Sequence, residues 1–290
     1  ERRKIMEHAI SFPALGLDFN INRVAVNLFG KDIYWYGIII CLGFVLAALY
    51  VNRRTKEFGV TSDNLMDCLI ICVPVGIICA RIYYVAFEWG YYSQHPNEII
   101  AIWKGGIAIY GAVIGVVIAL AVYSRIKKLS FASLCDLAAF GLLIGQCIGR
   151  WGNFFNREAF GEYTDSLFAM RLKVSDVTSA NITSTMREHI SIQDGIRYIQ
   201  VHPTFLYESL WCMVLLIILF AYRKHKKYEG ELFLMYLFGY GLGRFWIEGL
   251  RTDQLLLPGV GIAVSQLLAG AIVVGTGAAM LYLRKKHKNS

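Results

Sequence analysis

The chain has 290 residues, 56% of them apolar and only 17% charged, with a mean hydropathy of +0.48 and a formal net charge of +8. Soluble domains carry about 25% charged residues, so this balance argues against a soluble globular enzyme and points to an integral membrane protein. The excess of cations sits in short loops that face anionic headgroups, and it calls for no nucleic acid as a partner.

Residues 1–33 contain no continuous apolar core and do not resemble a cleavable signal peptide; Met6 reads as nearer a natural start than Glu1. Seven apolar runs then follow at 34–51, 65–87, 106–123, 129–149, 205–222, 232–250 and 257–283. Each suits a hydrocarbon core of about 30 Å, which takes roughly 20 helical residues. The expected fold is an all-α integral membrane protein, a seven-helix bundle with a small head domain between helices 4 and 5. Its divisions are an N-terminal segment 1–33, helices 1–4 over 34–149, the head over 150–202, helices 5–7 over 203–283 and a basic tail 284–290.

Orientation follows from Lys and Arg, which are retained on the cytoplasmic side. The breaks with Arg53, Arg54 and Lys56, with Arg125, Lys127 and Lys128, and with Arg223, Lys224, Lys226 and Lys227 alternate with cation-poor breaks. Arg284, Lys285, Lys286 and Lys288 fill the tail. The C-terminus is therefore expected inside, with the N-terminal segment and head outside, although Arg2, Arg3 and Lys4 pull mildly the other way.

The fourth run ends in Gly149-Arg150-Trp151-Gly152-Asn153-Phe154-Phe155-Asn156-Arg157-Glu158, with Gly161 close behind. Charge at membrane depth is unfavourable by about 2.5–3.5 kcal/mol per Arg or Asp, so such residues face a partner, a cavity or a substrate. Arg81, Asp136, Glu208, Arg244 and Glu248 are further polar exceptions within runs. The spacing of Arg244, Glu248 and Arg251 places them on one helical face. That face suits either an internal ion pair or an anion site. Convergence with Arg150 would favour a phosphate, because guanidinium presents paired donors to anionic oxygens.

Gly105, Gly106, Gly111 and Gly115 read as close-packing positions in the third run. Tyr110 among them is a mid-span phenol that needs a hydrogen-bond partner. His202-Pro203 opens the fifth run, and His202 reads as either structural or catalytic. The seven cysteines all fall in apolar runs without a disulfide or metal-ligand spacing. P-loop, Rossmann and Gly-x-Ser-x-Gly patterns are missing from the sequence, so nucleotide chemistry and a serine hydrolase lack support.

The stretch from Gly149 to Glu158 with Gly161 resembles the signature of the prolipoprotein diacylglyceryl transferase family. The segments Trp35-Tyr36-Gly37, Gly106 to Gly111, His202 to Glu208, and Gly243 to Glu248 with Arg251 resemble its other motifs, in order, across about Tyr34 to Asp253. The resemblance implies transfer of the diacylglyceryl group of phosphatidylglycerol to the lipobox cysteine of a preprolipoprotein in the bacterial plasma membrane. It implies no cofactor and no metal; the partners are membrane lipid and a signal peptide. Arg150 and Arg244 match essential arginines and are expected on the phosphate. Asn153, Asn156 and Glu158 would orient the headgroup, with Gly161, Tyr36, His202, Glu248 and Arg251 around it. A family histidine falls at Tyr110 and another at Tyr34, so Tyr110 is expected to hydrogen-bond rather than act as a base. A polytopic transporter of an anionic small molecule is the competing reading, and it would be expected to show repeated halves.

Overall fold

The structure is a computed structural model that describes residues 9–254, 257 and 261–288. The expectations for Met6 and for Arg2, Arg3 and Lys4 fall outside the described residues.

Long helices occupy α1 (Trp35–Asn52), α2 (Ser62–Phe87), α3 (Ile109–Lys127), α4 (Phe131–Asn156), α5 (Thr204–Tyr222), α6 (Glu231–Glu248) and α7 (Val264–Lys288). Six of them, all but α6, are long and apolar enough to cross a membrane. α6 has 18 residues and carries Glu231, Arg244 and Glu248. The outward faces hold exposed side chains such as Ile70, Ile82, Ile118 and Val274. Such stripes are a liability in water and are at home against lipid. The protein is thus a mostly helical, multi-pass membrane protein.

The expectation of an all-α chain is corrected by a five-stranded antiparallel sheet in the order Leu17–Asn20, Ala9–Phe12, Met170–Lys173, Ile196–Val201, Ser191–Gln193. It joins β1 (Ala9–Phe12) and β2 (Leu17–Asn20) to β5 (Met170–Lys173), β6 (Ser191–Gln193) and β7 (Ile196–Val201). Alternation explains it: Ile10 and Phe12, Met170 and Leu172, and Ile199 and Val201 all point into one apolar core, where they meet Phe154 and Phe205 from α4 and α5. The N-terminal segment and the 150–202 region are therefore partners in one sheet rather than separate pieces. A hairpin of β3 (Val24–Leu28) and β4 (Lys31–Tyr34) leads directly into α1.

The chain divides into two compact units, residues up to Leu49 together with Ala139 onward, and Tyr50–Ala138. In the smaller unit α2 is capped by Thr61, whose side chain accepts from the Asn64 amide at 3.1 Å. α2 packs on α3 through glycine: a Cβ on Gly115 would stand 2.6 Å from the Cβ and Sγ of Cys79. Arg81 is buried on α2 and donates to the carbonyls of Glu98, Ile99, Gly105 and Gly106 at 2.6–2.8 Å. Gly105 and Gly106 both have positive φ and shape this loop, and Gly106 also packs close against α2, where a Cβ would stand 2.6 Å from Arg81 Nη1 and 2.8 Å from the Tyr84 ring. Tyr110 follows as the second residue of α3 and is 43% exposed, which corrects its expected mid-span position.

Replacement of Gly115 by Leu is expected to force α2 and α3 apart at a destabilisation of about 1–3 kcal/mol. Thermal unfolding in detergent checks this, and an unchanged midpoint would contradict it.

Candidate active site

α4 runs on past the expected boundary at 149 to Asn156, so Arg150, Trp151, Asn153 and Asn156 occupy its last two turns. The helix ends in a Schellman turn: the Arg157 amide bonds to the Phe154 carbonyl at 3.2 Å and the Glu158 amide to that of Asn153 at 3.1 Å. Position C′ of this turn usually holds glycine, yet here it is Arg157 with φ 55°. Its side chain explains the choice. Buried Arg157 donates to the Phe155 carbonyl at 3.2 Å and to the Ile21 carbonyl, and faces Asp176 at 3.4 Å. Arg157 is a structural clamp between the helix end and the sheet, although in sequence it looked like a second site cation.

The turn folds Glu158 back over the helix, where its Oε1 accepts from Asn153 Nδ2 at 3.0 Å and Asn156 Nδ2 at 3.3 Å. Those two asparagines are three apart and share one helix face. A cavity of about 470 Å³ runs beside them, lined by Tyr36, Ile40, Phe44, Gln146, Arg150 and Asn153 among others. A second, of about 500 Å³, is lined by Arg23, Tyr34, Tyr36, Asn156 and Glu158 among others. Tyr36, in the first turn of α1, lines both. Gly152 leaves room for its ring; a Cβ there would lie 2.8 Å from it. The Oε1 of Gln146 is buried without a hydrogen-bond partner among the described residues, while its Nε2 donates to the Tyr236 hydroxyl at 2.8 Å. One wall is thus apolar and the other bears a guanidinium and carboxamides, a lining suited to a lipid headgroup with its chains.

Arg150 and Arg244 meet on one carboxylate. Glu208 on α5, 4% exposed, pairs with Arg150 Nε through Oε2 and with Arg244 Nη1 through Oε1, the latter at 2.5 Å. Arg244 also pairs with Glu248 one turn on, and Ser265 of α7 donates to Glu248 at 2.6 Å. α6 stops at Glu248, so Arg251 lies beyond it rather than on its face, which corrects the expected alignment. There Arg251 grips both oxygens of Asp253 at 2.9 and 2.7 Å. Burial would raise the Asp253 pKa, but the hydrogen bonds and charge of Arg251 hold it below the usual carboxylate value.

Gly161 is threaded between two strands of chain. Its amide donates to the His202 carbonyl at 2.9 Å, it bridges to Arg251, and the Glu162 amide donates to the Leu250 carbonyl at 2.9 Å. A Cβ would come within 2.8 Å of both His202 Cβ and the Leu250 oxygen. Gly161 thereby sets the entry of α5 and the exit of α6. His202 is held by this bridge, and its Nδ1 lies 3.2 Å from the Tyr207 hydroxyl. Tyr110 belongs to the other compact unit.

Sequence reasoning noticed Glu208 as a charge within a run but did not place it between the arginines. The available signal was electrostatic: two cations at membrane depth need an acid, and Glu208 was the one in the fifth run left without a role. Gln146 and Ser265 carried no comparable signal.

Burial lowers the His202 pKa from 6.5, with Glu162 opposing. The neutral ring therefore favours the fold, and its contribution is fully present above about pH 6.5 and is lost as pH falls through the lowered value. The melting difference between wild type and His202→Gln is expected to be constant above pH 6.5 and to shrink on acidification; a pH-independent difference would contradict this.

The chain matches the family model described as prolipoprotein diacylglyceryl transferase over residues 23–283. It is similar to proteins named phosphatidylglycerol-prolipoprotein diacylglyceryl transferase in several bacteria. That of Clostridioides difficile (strain 630) is 41% identical over 93% of this chain and 98% of its own length. Those of Lysinibacillus sphaericus (strain C3-41) and Limosilactobacillus reuteri (strain DSM 20016) are each 44% identical, covering 92% and 94% of this chain and 94% of each relative. The chain belongs to the prolipoprotein diacylglyceryl transferase family.

Proposed function

We propose that this protein transfers the diacylglyceryl group of phosphatidylglycerol to the lipobox cysteine thiol of a preprolipoprotein. The substrate sulfur forms a bond to the glyceryl carbon, the carbon–oxygen bond to phosphate breaks, and glycerol phosphate leaves. The reaction supplies its own nucleophile, so the enzyme needs no cysteine in the site, and no cofactor takes part. The substrates named for the relatives favour this reading over an anion transporter.

The charge balance explains the arginines. A thiolate attacking a singly charged phosphodiester leaves a monoester with two charges, and donors already aimed at that oxygen stabilise the added charge. The convergence of Arg150 and Arg244 on Glu208 is the observation that carries the reading. Each guanidinium has five donors, so the shared carboxylate leaves N–H groups for phosphate oxygens. Asn153, Asn156, Glu158 and Tyr36 bind the glycerol headgroup beside the apolar wall of Ile40 and Phe44, along which an acyl chain lies. Glu248 positions Arg244, Arg251 on Asp253 adds positive charge beyond the end of α6, Gly161 shapes the site, and His202 supports the bound substrate. Tyr110 is assigned a hydrogen-bonding role on its motif.

The same reading has α6 as a seventh span, the sheet as an extracytoplasmic head and the basic C-terminal tail in the cytoplasm of a bacterium, with the enzyme in its plasma membrane.

Transfer of labelled phosphatidylglycerol to a lipobox peptide tests this. Arg150→Ala and Arg244→Ala are each expected to lose about 10²–10³-fold in rate, the range for removing a donor to developing negative charge. Full activity in both would end the proposal. Tyr110→Phe is expected to lose activity in the same assay, and an unchanged rate would remove Tyr110 from the reaction.

A further inference from the structure

Helices α5, α6 and α7 line another cavity, of about 600 Å³, that shares no lining residue with the two that meet at Tyr36. Trp211 and Leu219, Phe238 and Leu242, and Met280 and Leu281 form its walls, and Arg284 stands among them as the charged lining residue. The lining covers eight or nine residues of each helix, a slot about 12 Å long by helical rise. Glycine keeps it open: Gly277 lines it, and a Cβ there would touch the Phe238 ring at 3.4 Å. Leu281 is 74% exposed, so the slot opens sideways onto the lipid-facing surface.

Its charged end is built. Glu231, fully buried at the start of α6, accepts from Arg284 Nε at 2.7 Å, from the Tyr222 hydroxyl at 3.2 Å and from the Lys227 amide at 2.5 Å. Arg284 also donates to Tyr222 at 3.1 Å, and Tyr228 stacks on His287 at 5.2 Å. These contacts bind the turn after α5 to the last turns of α7. The two segments so joined carry Lys224, Lys226 and Lys227 on one side and Lys285, Lys286 and Lys288 on the other, with Glu229 and Glu231 as the acids between them in sequence. The Arg284 side chain remains 48% exposed beside Glu231. Glu231 and Arg244 are thirteen residues apart on α6, about 20 Å of rise, so this end is remote from the arginine pair.

A hydrocarbon slot with a strongly cationic end is complementary to one kind of membrane component. We propose that the slot holds an acyl chain of an anionic glycerophospholipid whose phosphate rests against Arg284 and its neighbouring lysines. This lipid is bound and not consumed, since the residues assigned to transfer line none of the slot.

Native mass spectrometry of the full chain in mild detergent tests this with phosphatidic acid, which is not the transfer substrate, against phosphatidylcholine with the same chains. Wild type is expected to retain one phosphatidic acid under conditions that strip phosphatidylcholine. Gly277→Leu and Met280→Trp, which fill the slot, and Arg284→Gln are each expected to weaken that retention at least tenfold, while Arg150→Ala keeps it. Should Arg284→Gln fail to fold because Glu231 loses its partner, the slot-filling pair decides. Equal retention of both lipids, unchanged binding in Gly277→Leu and Met280→Trp, or loss of the bound lipid in Arg150→Ala would each overturn the proposal. Loss of transfer by Arg150→Ala with the lipid still bound separates this site from the catalytic one.

Discussion

Everything at the site depends on one carboxylate, Glu208, held between two guanidinium groups where water is scarce. Two arginines brought together in a low-dielectric interior repel, and Glu208 makes their apposition possible. With Glu248 and Asp253 it gives three acids against Arg150, Arg244 and Arg251, so the cluster is neutral before any ligand arrives. Such a cluster tolerates burial far better than its members would alone, and removing a single member leaves a stranded charge. In the proposed reaction a phosphodiester entering it would compete for donors that are already oriented. Under the proposed transfer, that arrangement would favour the departing dianion over the ground-state monoanion, the differential binding that catalysis requires.

The scaffold converts backbone geometry into this electrostatics. Arg150, Glu208, Arg244 and Ser265 come from α4, α5, α6 and α7, so the ion pairs cross-link the helices that present them. At the boundary of the helices the chain is held by contacts of another kind. Arg157 fixes the left-handed turn that brings Glu158 back over Asn153 and Asn156, and Gly161 lets the segments around His202 and Leu250 close on it. These positions sit in one short motif with Arg150, yet they act through the backbone, and their loss would act on geometry before chemistry.

Much of this was legible in the sequence because hydrophobic runs and charges obey a simple ledger in a membrane. The starts and ends of α1, α2 and α5 lie within a few residues of the runs 34–51, 65–87 and 205–222. Arg150, Arg244 and Glu248 stood out as charges that lipid would not accept. The sheet was hidden because its strands are three to six residues long, and β1 pairs with β5 some 160 residues away. Alternation over so short a stretch is weak beside runs of 20 apolar residues. The role of Arg251 was hidden because helix spacing was extended past Glu248, where α6 has already ended, and that of Arg157 because its left-handed turn lacks the glycine that usually marks one. Composition likewise gives no means of separating a structural arginine from a functional one; partners do.

The most direct test of the shared phosphate grip is a double-mutant cycle on single-turnover transfer, combining Arg150→Ala with Arg244→Ala. Groups that act as a unit are strongly non-additive. The double variant is expected to be little slower than the worse single variant, with a coupling energy above about 1 kcal/mol. Losses that simply multiply would mean that the two guanidinium groups act independently, and the account built on Glu208 would be wrong.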